Sequence, residues 1–216
     1  MKKHNLMKLF TVVTTATMLT LLNACSTTSS NEEFAKLSRQ EQLAQLNNIS
    51  ELEENGKIAL ISRYKKARFA VNCTYHYKKN YFSLEFTGPM GMQYAMLEVY
   101  ANGTTFLKAQ GKVNKGDSAR ALLKTQFGLD IPVEDLPAIM VGAPKGELTY
   151  DEQGFVKTAK QGEEYLVTYK QYQAQRRGLP LPTNFEILTP FTQVKVNINN
   201  VCLLYTSPSP RDKRQS

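Results

Sequence analysis

Tryptophan is absent from the 216 residues, and histidine and cysteine are nearly so, at two and three. The scarcity narrows the chemistry. Cys25 closes an N-terminal apolar stretch and Cys202 lies in a terminal Pro/Ser/Arg-rich segment. Cys73 is left alone in the body, so neither a disulfide framework nor a cysteine-based zinc site is available. His4 belongs to the N-terminal stretch, which leaves His76 as the one imidazole of a mature chain, read as a strand residue facing solvent. There is no G-x-S-x-G, no Cys/His pair in a plausible context, no phosphate-cradling glycine loop and no metal-ligand spacing. Asp and Glu alternate along strand-like runs, as on a solvated face. No internal repeat is visible. These absences point away from an enzyme and from a metal or organic cofactor.

A long apolar run is missing too. Leu9 to Leu22 is apolar and Thr-rich, behind Lys2, Lys3 and Lys8, and is too short to span a bilayer. It ends in "LLNAC", which resembles a bacterial lipobox. That resemblance makes 1–24 a signal peptide, Cys25 the lipid-attachment site and new N-terminus, and 25–30 a polar tether. A covalent lipid on Cys25 is then the only attached group expected. Ser26, where an Asp would favour retention in the inner membrane, implies a lipid anchor in the outer membrane with the body in the periplasm. At the other end, "CLLYTSPSPRD" resembles the translation of a transposon-library adapter, so 202–216 is read as artefact and the domain as 31–201. Six of the 27 basic residues and one of the 19 acidic ones fall in these two ends. The body is left with a net charge of about +3 and no basic run except Arg176-Arg177, so nucleic acid is not an expected partner.

The body holds roughly 170 residues, enough for one domain with a sizeable core. "NEEFAKLSRQEQLAQLNNI" places Phe34, Leu37, Leu43 and Leu46 at helical spacing and predicts one amphipathic helix. The period then changes to two. "GKIALISRY", starting after Gly56, "ARFAVNCTYHY" and "NYFSLEF" read as strands. "MQYAMLEVYANGTTFLKA" reads as a hairpin turning at Asn102-Gly103. Later come "GELTYDEQGFVKTA" with a turn over 151–154, "EEYLVTYKQY", "NFEILT" and "TQVKVNIN". Between them, "GDSARALLKTQFG" has a Ser118 cap and a Gly128 stop, and "PVEDLPAIMVG" predicts a second short helix. The expected fold is mainly β with α: an unclosed antiparallel barrel of about ten to eleven strands, its opening covered by helices.

The chemistry that is present is apolar and aromatic, with 11 Tyr and 10 Phe. A curved sheet under a helical lid can leave its interior partly unfilled, and about eight strands suffice to enclose a small ligand. The strand faces carrying Phe82, Leu84, Phe86, Leu97, Val99, Tyr165 and Val167, covered by helices carrying Leu122 and Ile139, are the candidate lining of an apolar cavity. A second feature stands out in "FTGPMGMQ". A turn that would ordinarily carry Asn, Asp or Ser carries Met90 between Gly88, Pro89 and Gly91.

"GKIALIS", "GPMG", "GLDIPVEDL" running into "IMVGAPKG", "EYLVTYKQY", "LPLPTNFEI" and "VKVNI", in this order and spacing over about 55–200, resemble the LolB family, the outer-membrane lipoprotein receptors of lipoprotein sorting. The resemblance implies a monomeric half-barrel whose cavity accepts the acyl chains of lipoproteins from a soluble, LolA-like periplasmic carrier and passes them to outer-membrane lipid. It also implies that Gly88, Pro89, Met90 and Gly91 form a membrane-delivery loop. Family tryptophans are replaced here by Ile139, Tyr165 and Tyr75. The competing reading of the residues is an assembly lipoprotein that binds a protein partner through its sheet.

Overall fold

The computed structural model of the chain describes residues 33–175 and 179–205. Cys25 and the tether lie outside these residues, as does Arg176-Arg177. Among the described residues, eleven strands form one wholly antiparallel sheet in the order β6-β5-β4-β3-β2-β1-β11-β10-β9-β8-β7. In chain order these are β1 (Ile49–Ser62), β2 (Ala67–Lys78), β3 (Tyr81–Thr87), β4 (Gln93–Tyr100), β5 (Thr105–Ala109) and β6 (Lys112–Gly116), then β7 (Glu147–Tyr150), β8 (Val156–Gln161), β9 (Tyr165–Ala174), β10 (Pro180–Leu188) and β11 (Thr192–Tyr205). The chain meanders outward from β1 to one edge at β6, crosses to the opposite edge at β7, and meanders back until β11 pairs with β1. The edges β6 and β7 do not pair with each other, so the barrel is unclosed.

The crossing between the edges carries helices α2 (Ala119–Phe127) and α3 (Leu136–Met140), the latter continuing a 3₁₀ turn over Val133–Asp135. Their local code is explicit. The Ser118 hydroxyl accepts from the Ala121 amide, and Gly128, at φ 67°, ends α2 in the left-handed region where glycine has no Cβ penalty. Because these helices bridge the two edges in sequence, they lie over the barrel's open side with Leu123, Val133, Leu136 and Ile139 in the core.

Three details differ from the sequence reading. The N-terminal amphipathic segment is two pieces, a helical turn over 33–35 and helix α1 (Arg39–Asn47). Ser38 and Glu41 form a capping box that starts α1 afresh. The break buries Gln42, whose amide donates to the Phe34 carbonyl at 3.2 Å, and leaves Leu43 half-exposed. Strand β1 begins at Ile49, well before Gly56, and runs through the acidic stretch "ELEEN". The polar edge strand β6 is the eleventh; it follows a tight reversal at Gln110 (φ 52°) and Gly111 (φ 73°), and its lysines suit an unpaired edge. Residues 202–205 continue β11 past Val201, their backbone pairing with 49–53 of β1.

Candidate functional site

The "GPMG" turn joins β3 to β4. Its tip is Met90, 94% exposed and held at φ 59°, ψ 22°. A left-handed conformation costs an L-residue about 1–2 kcal/mol. Gly91 follows at φ 75° with open space around it. Gly88 is buried against the ring of Tyr94; an added Cβ would come within 2.3 Å of that ring. The reversal therefore carries an unfavourable backbone state and an apolar side chain that folding leaves in water. Nothing in the fold requires that side chain, which makes it a candidate for an external apolar contact.

Tyr94 connects this loop to a mouth. A cavity of about 510 Å³ opens between β2, β3, β4 and the C-terminal end of α2, lined by Phe69, Phe86, Tyr94, Leu123, Phe127 and Ile131 among others. Its rim is apolar and open to solvent: Phe69 and Tyr94 are both about half exposed. Leu60, Phe86 and Ile131 also border a second, enclosed space of about 40 Å³ deeper in the barrel. Residues of β1, β2, β3, β10 and β11 line it, with Leu136 and Met140 of α3 above. Mouth and interior thus share walls. The mouth volume is in the range of small-ligand sites.

The lid is tied down by polar contacts at its margins. The Ser62 hydroxyl at the end of β1 donates to the Gly128 carbonyl at 2.6 Å, and the Asp130 amide donates to the Thr192 hydroxyl at 2.8 Å. Tyr169 of β9 donates to the Ile139 carbonyl at 2.9 Å, and Tyr165 donates to Asp135 at 3.0 Å. Arg120 of α2 bonds Asp130 at 2.6 Å and Glu164 at 3.0 Å. The hydrogen bond it donates to Asp130 is the largest cause holding the Arg120 guanidinium above its ordinary range. Burial, and then the facing Asp135, push the Tyr165 phenol up. Elsewhere, His76 meets Glu51 at 2.8 Å on a partly exposed strand face. Burial pushes the Cys73 thiol up to about 12, so it stays a thiol.

The predicted lining residues separate into two groups. Leu84 and Phe86 border the interior, and Phe86 the mouth as well. Phe82, Leu97, Val99, Tyr165, Val167 and Ile139 are buried in the packed core, and neither cavity touches them. Leu122 is half-buried, and Gly116 of β6 lies so close that an added Cβ there would meet its side chain at 3.2 Å. Tyr165 and Ile139 serve as lid fastenings. The other residues that open on the cavities come from β1, β2, β4, β10 and β11, from α2 and α3, and from the loop after α2. Glu54 of β1 also borders the interior; in the sequence it reads as part of an acidic run.

An open antiparallel barrel with a helical lid, an apolar mouth and an exposed apolar loop defines a class of protein shaped around an apolar interior. The family model described as outer membrane lipoprotein LolB matches residues 50–200. Relatives named outer-membrane lipoprotein LolB include one from Pectobacterium carotovorum, 26% identical over 191 residues (83% of this chain and 90% of the relative). Another, from Aeromonas salmonicida, is 25% identical over 194 residues (89% and 97%). The solved structure of an outer membrane lipoprotein-sorting protein domain from Vibrio parahaemolyticus superposes with a TM-score of 0.51 at 10% identity, covering 86% of this chain and 97% of that one. At that identity the likeness bears on fold alone. The chain belongs to the LolB family of outer-membrane lipoproteins.

Proposed function

We propose that this chain is a lipoprotein receptor: it takes the acyl chains of a lipoprotein from a soluble periplasmic carrier into its mouth cavity and delivers them to the outer membrane. Cys25, as the acylated N-terminus, holds the body at that membrane, and Met90 touches the bilayer. The observation that carries the reading is the placement of an apolar mouth directly behind an exposed methionine loop, joined through Tyr94. Transfer needs no catalytic group if each successive site buries the chains better, since burial is worth about 0.8 kcal/mol per methylene.

A fluorescent acyl probe displaced by a diacylated lipopeptide tests it. The parent protein is expected to bind both. Ala95, buried on β4 at the mouth, offers a plug: Ala95→Trp should lose most of the binding while the protein stays folded. A parent that binds neither probe nor lipopeptide refutes the receptor reading.

A further inference from the structure

Alternate residues of β1, Glu54, Gly56, Ile58 and Leu60, face the enclosed interior, and Leu60 also borders the mouth. Glu54 therefore stands six residues inward of the mouth, about 20 Å along a strand rising roughly 3.3 Å per residue. Its side chain is wholly buried, and neither carboxyl oxygen has a hydrogen-bond partner. Its neighbour across the β1–β2 ladder is Tyr75. The Tyr75 hydroxyl is also buried, also unpartnered, and lines the same space. Two ladder-paired residues at the inner end of an apolar chamber thus carry three unsatisfied polar atoms. Buried polar groups that serve the fold are as a rule bonded within it. These are not, and the roughly 40 Å³ beside them has room for a few waters.

We propose that Glu54 and Tyr75 form a polar stop that sets how long an acyl chain the interior accepts. The proposal rests on the reading of this cavity as an acyl site. Each methylene moved from water onto an apolar wall raises affinity roughly fourfold. A methylene reaching Glu54 and Tyr75 leaves their buried polar atoms against hydrocarbon, with no space for a bridging water. The gain cancels there, and lengthening the chain stops helping. Burial pushes the Glu54 carboxyl well above its ordinary range, so it meets the chain as a neutral acid that still needs a hydrogen-bond partner. Beyond it on the same face of β1 the barrel is filled, with Leu52 at zero exposure.

The experiment is a homologous series of saturated acyl chains on one fluorescent headgroup, titrated against the full chain. In the parent, affinity should climb with length and then level off. In Glu54→Leu/Tyr75→Phe, which keeps the volumes and removes the polar atoms, the next one or two methylenes should each add roughly fourfold. Glu54→Gln, which keeps a polar end, should level off where the parent does. Tyr75→Phe alone, which changes one hydroxyl, should move the limit part of the way and guards against a double variant that fails to fold. If chains bind but all variants level off at the parent's length, the stop is overturned and the receptor reading survives. If no chain of any length binds the parent, both fall together.

Discussion

Replacing Met90 separates what the loop does for the fold from what it does at a membrane. The side chain is 94% exposed, so folding gains almost nothing from it, and Met90→Glu should leave thermal stability within about 1 °C of the parent. Met90→Gly should be no less stable, because glycine removes the left-handed penalty at φ 59°. Delivery should behave differently. A fully inserted methionine is worth about 1.5–3 kcal/mol. At about 1.4 kcal/mol per factor of ten, losing that contact lowers the membrane-engaged population roughly ten- to hundredfold. The measurement has two stages, carrier-to-receptor transfer in solution and receptor-to-liposome transfer. Met90→Glu and Met90→Gly should accept cargo normally and deliver at roughly a tenth or less of the parent rate, while Met90→Leu delivers nearly as the parent does. Normal delivery by Met90→Glu would refute the membrane role. Failure at the first stage would instead assign the loop to the carrier interface.

Two further predictions concern the barrel. An added Cβ at Gly56 would stand 2.3 Å from the Asn197 carbonyl oxygen across the β1–β11 pair, so Gly56→Ala must push the two central strands apart. A loss of about 1–3 kcal/mol is expected, read as a melting temperature several degrees lower; a parent-like melt would show that the ladder accommodates the methyl group. Glu54 gives a pH signature. Its folded-state pKa is raised by burial, so between the ordinary carboxylate range and that raised value the folded chain holds a proton that the unfolded chain releases. Stability relative to Glu54→Gln should therefore fall as pH rises from about 4.5. The titratable groups facing it are Tyr75 and Cys73, the latter held neutral over this range and itself near Glu85. Parallel stability curves for the two proteins would show that Glu54 is solvated.

The parts of this fold that were legible in the sequence are those coded locally. Asn102-Gly103, Ser118, Gly128 and the 151–154 turn act through their own backbone preferences, and each stands where those preferences put it. Asp151 accepts from the Gln153 and Phe155 amides at 2.9 Å, closing its turn within five residues. The family resemblance rested on order and spacing along the chain, not on any single residue. The cavity wall was less legible. A two-residue period marks Leu84 and Leu97 alike as inward-facing, yet only Leu84 lines the interior; the difference depends on how far the opposite wall lies, which no local pattern encodes. Glu54 was hidden for a related reason. Among Glu51, Glu53 and Glu54 only parity marks the inward one, and parity has meaning only once β1 is known to begin at Ile49. Strand β6 was missed because an edge strand avoids the apolar alternation that would betray it.

The pairing of β1 with β11 carries a consequence for how the chain reaches this state. The first and last strands of the sheet are its longest and lie side by side at its centre, Ile58 opposite Val196. The first strands can form as successive hairpins while the chain is still emerging, but one long edge of β1 has no partner until nearly all the rest has been made. Closure at the centre joins segments more than a hundred residues apart, the kind of contact that slows folding and prolongs the exposure of apolar faces. Until then the half-sheet presents an unprotected seam to other chains. Central-seam variants such as Gly56→Ala should therefore reduce the yield of folded protein more steeply than equal destabilisation at the β6 edge.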